Sequence, residues 1–202
     1  MHTPRPAPVL ELVAERLRAV LGEPEARAAV TFLGTERIEV LRYLVPDEGL
    51  VRYVTFGMSA APMADPTAAV ADQDRGPRAE LVLSLRAGRA DTDRVLRALA
   101  TFAATPQVEG LVVAPGGSLE LPEPLWPGAP FHAVLVGEGG GLVPDLELPE
   151  PRSPVRFLPL LPMTPAEAAW KRARGADALQ ERWLARGTDL RDPTRLAVAL
   201  DG

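Results

Sequence analysis

The sequence predicts an α+β fold: a single domain in which a mixed, mostly antiparallel β-sheet packs with helices. Three observations predict it. Two β-branched and aliphatic runs, Ile38 to Val45 and Leu50 to Phe56, are separated by only Pro46-Asp47-Glu48-Gly49, turn chemistry that makes them an antiparallel hairpin. Apolar residues at helical spacing recur near both ends of the chain. Strands and helices mix without a strict βαβ alternation, which argues against a doubly wound parallel sheet.

Val9, Leu10, Leu12, Val13, Leu17, Val20 and Leu21 fall on one helical face, and Gly22 stops the helix. Ala29 to Leu33 reads as a strand ahead of the hairpin. Gly57 to Pro77 holds Pro62, Pro66 and the charged stretch Asp72-Gln73-Asp74-Arg75, which predicts a long surface loop of the kind that often carries function. Ala79 to Arg86 alternates as a strand. Asp91 is placed to cap a helix from Thr92 to Ala104, and Pro106 is expected to block its continuation. Leu111 to Val113 and Leu119 to Leu121 are short strand candidates, and Phe131 to Val136 is a stronger one before the tip Gly137-Glu138-Gly139-Gly140-Gly141. Val155 to Leu161 is a further strand. Thr164-Pro165-Ala166-Glu167 then forms a capping box with proline at the first helical position, where a missing N–H costs nothing. Helices over Ala166 to Arg174 and Ala176 to Ala185 follow, divided by Gly175 and closed before Gly187.

At 202 residues the chain can bury a core without staples, and with no cysteine it has neither disulfides nor a thiolate metal site. The first eight residues carry three prolines and no apolar run, so a disordered tail over 1–8 and a domain over 9–202 are expected, without signal peptide or membrane anchor. Lys171 is the only lysine, Ile38 the only isoleucine, and asparagine is absent, a bias expected of a GC-rich bacterial genome and a cytoplasmic protein. The net charge of −5, with arginines interleaved among acids, disfavours nucleic acid and favours a neutral or basic protein partner. The 22 prolines are spread through the loops as rigid punctuation and are not gathered in one linker.

No constellation of catalytic residues stands out. Gly57-Met58-Ser59-Ala60-Ala61 after a strand has the outline of a nucleophile elbow, with His132 as a conceivable base. The required helix would meet Pro62 and Pro66, however, and the parallel-sheet context is missing. The plainer reading is that Gly57 supplies an unusual backbone angle and Ser59 hydrogen-bonds the loop. His2 and His132 are the only histidines, which leaves no two-histidine metal site, and neither a metal nor a cofactor is expected. The glycine run at 137–141 lacks the Gly-Lys-Ser/Thr and the helix start that a phosphate loop needs. Asp72, Asp74, Asp91 and Asp93 look like loop and helix-start residues. Of the three tryptophans, Trp170 and Trp183 fit core positions on helices, and Trp126, between prolines, is the better candidate for an exposed partner-binding anchor.

Five short motifs in order resemble the suppressor of fused domain family over about residues 10 to 195. They are Tyr53-Val54-Thr55-Phe56-Gly57-Met58-Ser59, Glu80 to Leu85, Leu96 to Phe102, Phe157 to Thr164 with Glu167, and Asp189-Leu190-Arg191-Asp192. The resemblance implies an α+β sandwich like the N-terminal domain of that family, partner binding, and no known reaction. Animal members pair this domain with a second one and clamp an extended transcription-factor segment that adds a strand. By its length the chain is expected to match the first domain only. The family's peptide-contacting aromatic corresponds to Phe102, and its Gly-Asp pair corresponds to Gly110 and Leu111, so the aspartate is missing and transcription-factor binding does not carry over. Bacterial members are thought to include immunity proteins, so the resemblance implies a non-enzymatic binding protein that neutralises a toxin domain. The alternatives are a regulatory or scaffold domain that binds a native protein and, behind it, a serine hydrolase acting at Ser59.

Overall fold

The computed structural model describes residues 8–64, 72 and 74–201. Most of the expected N-terminal tail and part of the 57–77 loop lie outside these residues. Helix α1 (Val9–Leu21) leads to β1 (Ala26–Val30), β2 (Ile38–Val45), β3 (Leu50–Phe56) and β4 (Arg78–Arg86). Helix α2 (Val95–Glu109), β5 (Ser118–Glu120), β6 (Ala133–Val136), β7 (Val155–Met163), α3 (Pro165–Arg174) and α4 (Ala176–Ala185) complete the chain. The seven strands form one sheet in the order β1-β2-β3-β4-β7-β6-β5. Only β4 and β7 pair in parallel, and the crossover between them carries α2, β5 and β6, long enough for a parallel connection. The α+β class and the β2–β3 hairpin, with Val45 opposite Leu50, are as the sequence predicts.

Alternation along the strands sorts the side chains into layers. Val51, Tyr53, Leu81, Leu83, Val134 and Leu158 face α2, where Leu99, Phe102 and Ala103 close the largest core cluster. The opposite face is covered in two parts. Val13 and Leu17 of α1 pack on Leu41, Tyr43, Val54, Val82 and Phe157, while Leu179 and Trp183 of α4 pack on Ala133, Leu135 and Met163.

Three elements depart from the sequence expectation. Helix α2 begins at Val95, without a side-chain cap, because Asp91 accepts from the Asp93 N–H and the next two residues are used in tertiary contacts. The buried Tyr53 hydroxyl sits 2.7 Å from Thr92 Oγ1 and donates 2.8 Å to Asp93 Oδ1, which also accepts from Arg42 Nε. Burial pushes the Tyr53 hydroxyl up to about 12, so it stays a donor throughout the working pH range. Pro106 lies inside α2: it removes one N–H from the ladder, but the helix runs another turn to the left-handed Gly110, whose N–H donates to the Pro106 carbonyl. Leu111 to Val113 is not a strand, since Val113 N–H is spent on Met63 Sδ at 3.3 Å. The glycine run also differs from a free hairpin tip. Gly137 donates to the Pro159 carbonyl, and Cβ atoms at Gly137 and Gly139 would come within 3.0 Å and 3.1 Å of Pro159 and the Phe157 carbonyl, so these glycines allow the segment to lie against β7.

Gly57 sits in a tightly constrained stretch of backbone. Its φ is +129°, and a Cβ there would lie 2.5 Å from the Arg37 carbonyl oxygen. Gly57→Ala is therefore expected to cost about 2 kcal/mol or more, from backbone strain plus displacement of the β2 edge. Urea unfolding of the variant checks this, and a loss below about 0.5 kcal/mol would show that the loop relaxes freely.

Candidate functional site

Two buried carboxylates lock the regions that flank the sheet. Glu80 on β4 is fully buried and accepts four hydrogen bonds: from Thr55 Oγ1 at 2.6 Å, Gly57 N at 2.9 Å, Ser59 N at 3.0 Å and Ser59 Oγ at 2.6 Å. Arg78 pins the same turn from the other side, donating to the Ser59 and Ala60 carbonyls at 2.9 Å each. Burial pushes the Glu80 carboxyl above its ordinary value, although the hydrogen bonds from Ser59, Thr55 and Gly57 oppose that rise. Ser59 is thus a buried loop fastener held by a carboxylate, as the plainer sequence reading has it. Among the described residues no hydrogen bond joins Ser59 to His132, a half-buried residue ahead of β6.

The second lock is Glu167, whose carboxylate accepts from Arg195 Nη1 at 2.7 Å and Nη2 at 2.9 Å, Trp183 Nε1 at 3.1 Å, Val198 N at 2.9 Å and Thr164 N at 2.9 Å. The last bond belongs to the capping box, completed by Glu167 N–H to Thr164 Oγ1. Desolvation pushes this carboxyl up, but the Arg195 guanidinium and the Val198 and Thr164 N–H groups outweigh it and hold it below the ordinary value. Arg195 also stacks over Phe131 and Trp183, 5.0 Å and 5.6 Å from the ring centroids, so the C-terminal segment is fastened over α3 and α4. The sequence gives the capping box by spacing. It gives no sign of Arg195, which is 28 residues away.

The expected site residues do not converge on one surface. Phe102 is a core residue, 2 % exposed, on the buried face of α2. Gly110 caps that helix, and Leu111 follows it at 45 % exposure. Trp126 is not the exposed anchor the sequence suggests: it is 3 % exposed and packs edge-on against Phe131 at 5.8 Å, because the prolines around it fold the segment inward. Its buried face walls a groove of about 960 Å³ between α2 and the 121–127 segment, shared with Phe32, Leu96, Arg97 and Pro124. Trp183 is buried as expected, while Trp170 is half-exposed beneath the Arg182 guanidinium.

The end of α2 carries the feature that the sequence pointed to only through Gly110 and Leu111. Val108, Leu111 and Val112 are all exposed within five residues, and a hydrogen bond from Glu36 N to Gln107 Oε1 ties the β1–β2 connection to the same helix turn. Next to them a cavity of about 240 Å³ is lined by Leu111, Val112, Ser118, Leu119 and Val136. β5 is an edge strand, so its outer backbone groups have no ladder partner within the sheet. An exposed apolar cluster beside a free strand edge suits contact with a protein segment. Asp72, one of the loop acids, closes a local turn by accepting from the Asp74 and Arg75 N–H groups. No group of three or more His, Asp or Glu side chains among the described residues is placed to hold a metal ion, and no described helix is long and apolar enough to cross a membrane.

A model of the suppressor of fused protein (SUFU) family matches residues 34–196. No curated protein sequence matches significantly. Among solved structures, a SUFU homolog from Neisseria gonorrhoeae is similar with a TM-score of 0.68 at 16% identity, over 95% of this chain and 97% of that one. The structure of a Sufu–Fu complex is similar with a TM-score of 0.66 at 13% identity, over 96% of this chain and 93% of that one. Drosophila Suppressor of Fused gives 0.63 at 15% identity, with 97% of this chain covering 52% of that protein. The family match, from the β1–β2 connection to Leu196, takes in all five sequence motifs between Tyr53 and Asp192. The chain belongs to the suppressor of fused family.

Proposed function

We propose that this chain is a non-enzymatic, cytoplasmic protein-binding domain whose partner docks at the end of α2. The observation that carries the reading is the exposed cluster of Val108, Leu111 and Val112 beside the free edge of β5, in a chain whose family includes a member solved in complex with a protein, Fu. An extended partner segment adds backbone hydrogen bonds along β5 and places an apolar side chain in the neighbouring cavity. Gly110 keeps the helix end open for that approach, with Phe102 on the buried face of α2 and Trp126 in the neighbouring segment as supports without direct partner contact. The partner is a toxin domain that the chain neutralises as an immunity protein; a native regulator bound by a scaffold domain is the alternative.

Leu111→Asp tests this reading. The side chain is exposed, so stability should change by less than about 0.5 kcal/mol. Affinity for the partner should fall by about tenfold or more, because a carboxylate would be buried against an apolar contact. Calorimetric titration of the purified pair reads the effect, and unchanged affinity would move the interface elsewhere. A toxin partner would also be inactivated in stoichiometric mixture, whereas a regulator would be bound without loss of viability in its absence.

A further inference from the structure

A cavity of about 250 Å³ lies on the second face of the sheet, at the seam between the layer built on α1 and the layer built on α3, α4 and the C-terminal segment. Arg52 on β3 and Ser84 on β4, direct cross-strand partners, form part of its floor beside Leu50, Pro159 and Leu161. Leu142 and the Leu190-Arg191 pair wall it. Nothing in the docking surface at the end of α2 involves these residues.

Arg52 is out of place in such surroundings unless something completes it. Its side chain is 9% exposed; among the described residues it makes one hydrogen bond, from Nη2 to Glu48 Oε2 at 3.0 Å, and its buried Nε–H has no partner. A buried cationic N–H left unpaired is costly and calls for a partner. Arg195, whose Nε is likewise unpaired, differs in having both terminal nitrogens held by Glu167 and by carbonyl oxygens. The ionic groups around the cavity are Arg52, Arg191 and Glu138. Glu138 is 82% exposed and turned to Arg156 at 3.3 Å, and Arg191 is held only loosely by Asp189 at 3.5 Å. The floor therefore offers the Arg52 guanidinium, ion-paired on one side with the half-exposed Glu48, and the Ser84 hydroxyl, beside apolar Leu50, Pro159 and Leu161.

We propose that this cavity binds a carboxylate that carries a short apolar body. The carboxylate meets Arg52 and Ser84 at the floor, and the apolar body lies against Leu50, Pro159 and Leu161. The volume is room for about eight waters, the size of an acid of about eight non-hydrogen atoms. A free branched-chain carboxylic acid and the C-terminal leucine of a peptide share this chemistry.

Nitrogen–proton NMR titration of the full chain, read at the Arg52 Nε–H and the Ser84 amide, tests the site with three probes: 4-methylpentanoate, 4-methylpentan-1-ol and the tripeptide glycyl-glycyl-leucine. Saturable shifts in the millimolar range with the acid and none with the alcohol are expected. Arg52→Met should weaken binding by about tenfold or more, and Ser84→Leu, which fills the floor with apolar bulk, should abolish it. If Arg52→Met does not fold, Ser84→Leu carries the comparison. Equal or tighter binding of the tripeptide identifies a C-terminus as the source, and response to the acid alone identifies a free carboxylate. The proposal is overturned by the absence of a saturable response to either carboxylate, meaning only an ordered water at Arg52, by an equal response to the alcohol, or by full binding in folded Arg52→Met.

Discussion

Glu167→Gln is expected to lower the free energy of unfolding by about 3–5 kcal/mol at neutral pH. The size follows from what remains behind. Glutamine can still accept from Trp183 and Val198, but the Arg195 guanidinium, 6% exposed, would be left as a buried charge without a counter-charge. For a domain whose total stability is on the order of 5–15 kcal/mol, that leaves a marginal fold. Glu167→Gln with Arg195→Met removes both charges and should recover at least about 1 kcal/mol of the loss, giving a coupling that separates the ion pair from the cap. The pH dependence has a definite sign. Because the folded carboxyl is held below its ordinary 4.5, its stabilisation is present above that value and is lost as pH falls through the folded one. Urea unfolding between neutral and acid pH should show this decline in the wild type and not in the double variant; parallel curves would contradict it.

Glu80 is expected to behave in the opposite sense. Glu80→Ala strands four buried donors, from Thr55, Gly57 and Ser59, and should cost about 3–5 kcal/mol and free the turn at 57–60. Glu80→Gln keeps an acceptor for Gly57 and Ser59 and offers an N–H to Thr55, so its cost at neutral pH should stay within about 1 kcal/mol. Burial raises the folded carboxyl above 4.5, so its favourable contribution is complete below that value and is lost as pH rises through the folded one. Glu80→Gln removes that loss. The ratio of variant to wild-type stability should thus grow from about pH 4.5 upward, and a constant difference across that window would mean that Glu80 titrates normally.

What the sequence made legible was local. The Thr164 to Glu167 capping box, the hairpin joined by Pro46 to Gly49, and α1 with its stop at Gly22 each rest on residues a few positions apart, and each forms where spacing puts it. The departures all come from long-range contacts that spacing does not encode. Thr92 and Asp93 serve Tyr53 and Arg42 in place of starting α2, and the Val113 N–H goes to Met63 where a strand would have needed it. The helix also tolerates Pro106 because its last turn closes on Gly110. The site, too, is legible in the sequence only in part. Gly110 and Leu111 lie at the exposed end of α2, but Trp126 folds inward with its prolines; Val108 falls beyond the helix that the sequence predicts, and Val112 reads as part of a short strand, so the apolar cluster they complete is not visible in the sequence. Glu80 reads as one polar position in an alternating strand; only the fold brings it to Ser59, 21 residues away.

The most direct test of the binding reading is co-purification from the native host with two baits run side by side, wild type and Leu111→Asp, each checked to be folded and quantified by mass spectrometry. One protein should be recovered in near-stoichiometric amount with the wild type and be depleted by about tenfold or more with the variant. Equal recovery on both baits would contradict the assignment of the interface to the end of α2, and no stoichiometric partner on the wild type would contradict the binding function itself.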